Sequence, residues 1–108
     1  MFKKAERLGR DQFDAFFKTG RRFHSEYATV IYAPHPTFHA SVVVGKKVHK
    51  HAVTRNTLRR RIYAQLRSLK ERRTGVFIVI LKPTFKQLTR HGARDHIAAL
   101  IERTEKSA

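Results

Sequence analysis

The clearest periodicity in this chain lies between residues 54 and 69. There Leu58, Ile62, Leu66 and Leu69 recur at spacings of four, four and three, which puts four aliphatic side chains on one stripe of an α-helix. Arg55, Arg59, Arg60, Arg61 and Arg67 fill most of the remaining circumference. A shorter helix is predicted over residues 10–19, with Phe13, Phe16 and Phe17 at helical spacing, Asp11 near its start and Gly20 as its stop. Residues 27–33 read as a strand and residues 34–36, bounded by two prolines, as a turn. A further strand covers 38–44 and ends in Val42, Val43 and Val44, followed by a basic loop over 45–53. After a turn at Thr74 and Gly75, residues 76–81 are wholly apolar, as suits a strand buried on both faces, and Pro83 ends it. The last helix starts near Thr89, which is placed to cap it, with Leu88 as the preceding staple residue. Ile97, Leu100 and Ile101 form its inner face, and Gly92 weakens its first turn slightly. The pattern predicts a helix, two or three strands, a helix, a strand and a helix. One layer of sheet backed by helices is the natural architecture for that order.

Length and composition sharpen this picture. A chain of 108 residues fits one domain, residues 1–108, with one modest core. Hydrophobic residues at 41% and charged residues at 30% suit a globular protein better than a disordered tail. The charge balance is lopsided: 24 Lys and Arg against 8 Asp and Glu leave +16. Such self-repulsion favours the expanded chain, so a polyanion that binds the folded form should stabilise it. The absence of cysteine excludes disulfides, zinc–thiolate sites and thiol nucleophiles. No apolar run approaches the ~18 residues of a membrane helix, and residues 1–10 lack the apolar core of a signal peptide. A soluble, cytoplasmic protein without membrane attachment is expected. Charge alone leaves nucleic acid, an anionic membrane and other acidic surfaces as partners.

The basic residues are concentrated. The window 46–73 holds eleven of the 24 and a single acid, Glu71. A solvated helix face usually mixes both signs to gain i,i+4 pairs, whereas Arg55, Arg59, Arg60 and Arg61 repel one another without an external anion. The guanidinium fork matches phosphate oxygens, so a phosphate backbone is the better reading. Phe13 and Phe17, four apart on one helix face, are either core residues or π-faces for unpaired bases, with Tyr32 as a potential companion. Among the seven histidines, His35 with His39 and His49 with His51 are the close pairs, and neither has an acid nearby. His49 and His51 also sit among Lys46, Lys47 and Lys50, which would repel a divalent cation. No metal bound by the protein is expected. The eight acids are scattered and form no cluster of the kind that two-metal phosphodiester cleavage needs. Any RNA chemistry would be performed by something other than this chain.

The stretch Lys46-Lys47, Arg55-Asn56, Arg59-Arg60 and Ile62 resembles the arginine-rich signature of the bacterial ribonuclease P protein family. Asp11, Phe13, Phe17 and Gly20-Arg21-Arg22 resemble its amino-terminal element, and Tyr32 falls where its first main strand carries an aromatic. Residues 76–81 with Lys82-Pro83 and Leu88-Thr89 resemble its carboxy-terminal half, so the likeness covers about residues 7–101. Thr57, Tyr63 and Ala64 depart from the pattern, and Arg61 is an additional cation. The resemblance implies an α/β, or α+β, two-layer sandwich of order αβββαβα. Its four-stranded sheet would contain a left-handed βαβ crossover, against the general handedness rule, on a ribosomal-protein-like fold. It implies a catalytic RNA as partner, which uses Mg²⁺ to remove the 5′ leader of precursor tRNA. The protein would be monomeric, one per RNA, and would bind no cofactor and contribute no catalytic residue. Lys46, Lys47, Lys50, Arg55, Asn56, Arg59, Arg60 and Arg61 would meet that RNA. Phe13, Phe17 and Tyr32 would form the cleft for the single-stranded leader. The leader contacts are absent from mature tRNA and would favour precursor over product.

Three other classes compete. A structural ribosomal or general RNA-binding protein shares the size and charge but needs no aromatic cleft for a mobile strand. A DNA-binding module would use the 54–69 helix in a major groove, yet strands rather than a helix-turn-helix partner flank it. A protein-only nuclease lacks its acid cluster.

Overall fold

The computed structural model describes residues 8–71 and 73–107, so residue 7, where the family likeness begins, lies outside them. The elements are α1 (Arg10–Thr19), β1 (Arg21–His24), β2 (Ala28–Ala33), β3 (Phe38–Val43), α2 (Ala52–Lys70), β4 (Gly75–Leu81) and α3 (Arg90–Ser107). A short 3₁₀ turn, Pro83–Gln87, joins β4 to α3. This is the αβββαβα order that the likeness implied. The strands form one mixed sheet, β1-β2-β4-β3, in which β4 runs antiparallel to β2 and parallel to β3.

The apolar strand takes the covered place. β4 lies between β2 and β3, and six of its seven residues are buried. Alternation then divides the core. Val30, Ala40, Val42, Phe77 and Val79 point to one face, where Ile62, Leu66 and Leu69 of α2 meet Ile97, Leu100 and Ile101 of α3. Ile31, Ala33, Val76 and Ile78 point to the other, where Leu8, Phe13 and Phe16 cover them from the α1 side. Sheet, α2 and α3 are the two layers of the sandwich, and α1 lies across part of the opposite face.

Local chemistry sets the ends of the elements. The Thr89 hydroxyl accepts from the Gly92 N–H at 3.0 Å, so Thr89 caps α3 as its position predicts. α2 begins at Ala52, two residues before the predicted start. β1 is a strand that the hydrophobic pattern does not locate. It is a four-residue edge whose single buried side chain is Phe23, with Arg22 and His24 exposed on either side. Gly20 ends α1 directly on β2, where a Cβ would collide with the Ile31 Cγ2 methyl and lie 2.7 Å from the Phe16 carbonyl oxygen.

Gly75 opens β4 with φ +119°, a region that L side chains rarely adopt. A Cβ there would lie 2.8 Å from Tyr32 Cε1 and 3.2 Å from the Ala33 oxygen. Gly75→Ala is therefore expected to destabilise the fold by about 1–3 kcal/mol, read as a fall in Tm of several degrees. An unchanged melting curve would refute that account of the β4 entry.

Candidate nucleic-acid interface

The basic loop is built, not slack. Val44 and Val48 are buried and pin it to the core, while Gly45, Lys46, Lys47 and Lys50 stay exposed. The Val48 N–H donates to the Gly45 carbonyl at 3.0 Å, closing a turn that presents the two lysines. Arg55 then reaches back from the first turn of α2. Its Nη1 donates to the carbonyls of His49 at 2.9 Å and Lys50 at 2.8 Å. Arg59 makes a second strap, from Nη2 to the Val44 carbonyl at 3.2 Å and from Nη1 to Asn56 Oδ1 at 2.6 Å. Tyr63 fixes the same helix to the sheet edge, its hydroxyl accepting from the Val42 N–H at 3.1 Å.

The predicted RNA-binding residues thus divide by role. Lys46, Lys47, Lys50, Asn56 and Arg60 are exposed on the loop and the outer side of α2. Arg55 and Arg59 are half-buried and hold the loop to the helix, each retaining unused N–H donors. Arg61 is exposed but lies about 200° around α2 from Arg59, toward α3. α2 has no acid in its first turn, so its macrodipole adds to the positive potential beside the loop.

The aromatic residues lie on α1. The Phe13 and Phe17 rings stack with centroids 5.7 Å apart and planes inclined by 28°. Phe17 is 37% exposed. Arg22 also packs against it, with its guanidinium carbon 4.6 Å from the ring centroid and Nη2 donating to the Phe17 carbonyl at 2.7 Å. Phe16 turns inward and meets His35 edge-on at 6.0 Å, and His35 meets His39 at 4.8 Å.

Tyr32 does not join this group. Alternation along β2 places its side chain with Val30, on the α2 and α3 face of the sheet. There its ring is tilted against Phe77 at 5.1 Å, opposite Phe77 in register. The expected cleft of Phe13, Phe17 and Tyr32 is corrected to an α1 surface of Phe13, Phe17 and Arg22, continued by Phe16, His35 and His39. Arg22 and the two histidines were not singled out for this surface from sequence. His39 sits four residues before Val43 on β3, and strand period two puts both on the α1 side. His39 Nδ1 is buried without a hydrogen-bond partner, while Nε2 lies 2.8 Å from Thr37 Oγ1.

Among the described residues, no three His, Asp or Glu side chains converge in a way that would hold a metal ion. Among the same residues, no helix is long and apolar enough to cross a membrane.

Comparison with known proteins gives one answer. The Ribonuclease P family model matches residues 2–105. A ribonuclease P protein component from Microcystis aeruginosa is 39% identical over 67 residues, 56% of this chain and 55% of that protein. One from Synechococcus elongatus is 35% identical over 69 residues, 58% of this chain and 57% of that protein. The aligned stretch spans little more than half the length of these relatives. The fold is similar to the ribonuclease P protein of Staphylococcus aureus, with a TM-score of 0.85 at 22% identity over 94% of this chain and 96% of that one. It is also similar to the Thermotoga maritima protein, with a TM-score of 0.76 at 25% identity over 91% and 96% of the two chains. A match across residues 2–105, on the same fold, makes this chain a member of the ribonuclease P protein family.

Proposed function

We propose that this chain is the RNA-binding protein subunit of ribonuclease P in the bacterial cytoplasm, one copy per catalytic RNA. It binds that RNA through the 45–51 loop and the outer side of α2. It holds the single-stranded 5′ leader of precursor tRNA against Phe13, Phe17 and Arg22. The RNA, with its Mg²⁺, hydrolyses the phosphodiester 5′ to mature tRNA, and no group of the protein takes part in that step. The observation that carries this reading is the strapped loop. Arg55 and Arg59 spend hydrogen bonds on four protein acceptors, and in doing so fix the positions of Lys46, Lys47, Lys50 and Arg60 as a preformed cationic surface.

Charge supplies the rest of the argument. Catalytic RNA and precursor are both polyanions, and a +16 protein between them lowers their repulsion, work that Mg²⁺ would otherwise do. The test follows from that. Adding the protein to a bacterial ribonuclease P RNA is expected to restore precursor-tRNA cleavage at a low Mg²⁺ concentration where the RNA alone is slow. Protein without RNA is expected to leave the precursor intact. Failure to restore cleavage, with the protein shown to be folded, would sink the assignment.

A further inference from the structure

α2 and α3 run side by side in the same direction. Gln65 Nε2 donates across to the Arg94 carbonyl at 2.9 Å, and Arg73 pairs with Glu105 at 3.2 Å toward the far end. Between the helices lies a groove of about 970 Å³. Ile62 and Leu69 of α2 and Ala98 and Ile101 of α3 form its apolar lining. Arg61, Arg90 and Arg94 gather at one end, while at the other Glu105 pairs with Arg73 and Glu102 with Lys106.

The cationic end has no internal explanation. Arg90 and Arg94 are one turn apart on α3, where like charges repel. Arg90 and His91 also stand at the positive end of their own helix, whose first turn contains no acid. Among the described residues, the side chains of Arg61, Arg90 and Arg94 take part in no hydrogen bond or ion pair. The guanidiniums of Arg55, Arg59, Arg73 and Arg103 all donate to protein acceptors. Three free planar forks of one sign, gathered on the rim of one groove, lack only an anion that bears several acceptors.

We infer that this groove end is a second RNA contact, in which Arg61, Arg90 and Arg94 hold backbone phosphates of the ribonuclease P RNA. The inference rests on the proposed role as RNA subunit, which already places RNA along the outer side of α2. That helix is about 10–12 Å across with its side chains, so RNA lying on Arg60 reaches the rim by passing round a single helix. The footprint therefore wraps α2 and ends on the start of α3. An acidic polypeptide is the competing occupant. It would have no such continuity with the loop surface.

The experiment measures affinity for ribonuclease P RNA as a function of salt for three folded variants with matched Tm. The groove variant is Arg61→Gln, Arg90→Gln and Arg94→Gln combined. The charge-matched control is Arg10→Gln, Lys18→Gln and Lys86→Gln, on three exposed positions that do not line the groove. The third variant carries Lys at the three groove positions. Each phosphate contact contributes about 0.7–0.9 to the slope of log K against log salt, so the groove variant is expected to lose about 2–3 and the control much less. The Lys variant is expected to keep the slope, which a merely structural role of these arginines would not predict. If the groove variant matches the control while wild type binds normally, the inference falls and the RNA-subunit reading stands. The groove would then be left to an acidic polypeptide. If wild type itself does not bind this RNA, the subunit reading falls and takes the inference with it.

Discussion

Phe17→Ala is expected to weaken binding of precursor tRNA by roughly 5- to 150-fold, the worth of one base stacked on an aromatic ring, and to leave mature tRNA almost unchanged. The motive is the state of the ring. Phe17 is 37% exposed although Phe13 stacks on it and Arg22 lies 4.6 Å from its centroid. A partly exposed ring beside a guanidinium offers a leader nucleotide a π-face for its base and a cation for its phosphate. Arg22 suits that arrangement, because its fork can meet a leader phosphate while its plane packs on a base. The substitution should be tolerated by the fold, since no residue of α1 is fully buried. Native circular dichroism and a near-native Tm are the required controls. A folded variant that binds precursor and mature tRNA in the wild-type ratio would remove Phe17 from the leader path.

Tyr32 shows where sequence reasoning reached its limit. The residue type and the strand were both legible, because 27–33 is a short, mostly apolar run that contains β-branched and aromatic residues. Its partners were not. β2 is apolar on both faces, with Val30 packed toward α2 and α3 and Ile31 toward α1. Hydrophobic pattern sets which residues share a face, and it cannot say which helix covers that face when both are buried. The likeness to a family supplied a grouping of three aromatics, and side-chain alternation along β2 turns Tyr32 to the face away from α1, which carries the other two. The same period explains why His39 belongs to the α1 side, a fact available in the sequence once α1 is assigned to the Val43 face.

The helices were easier to read. The Leu58, Ile62, Leu66 and Leu69 stripe became the inner face of α2, with Leu58 partly buried and the other three fully so. The wholly apolar 76–81 run became the strand with neighbours on both sides, and the Thr89 cap formed as placed. Each of these signals is local or carries a strong period. β1 has neither, having four residues and one inward side chain, and the likeness to the family was what implied a third strand before β4's partner helix. The function of individual arginines was least legible. A guanidinium on a helix surface looks the same in sequence whether it donates to a loop carbonyl, stands free or faces a groove.

That distinction changes what Arg55→Ala should do. As a plain phosphate contact, its loss would lower the log K against log salt slope by about 0.7–0.9. In the structure, Arg55 Nη1 bridges the His49 and Lys50 carbonyls, and so holds the loop that carries Lys46, Lys47 and Lys50. Hydrogen bonds from a charged donor contribute about 1.5–3 kcal/mol, a factor of roughly 10 to 150. Without the bridge, binding must order the loop again, and the cost falls on affinity. The expected signature is therefore a large loss of RNA affinity with a slope close to wild type, because the lysines still reach their phosphates once the loop is ordered. Arg60→Ala should do the reverse. Arg60 is exposed and straps nothing among the described residues, so its loss should lower the slope by about one contact with a smaller drop in affinity at high salt. Amide hydrogen exchange across residues 45–51 provides the independent check, rising in Arg55→Ala and unchanged in Arg60→Ala. If Arg55→Ala loses slope and affinity together while the loop amides stay protected, Arg55 binds phosphate directly, and the straps from Arg59 and Val48 suffice to hold the loop.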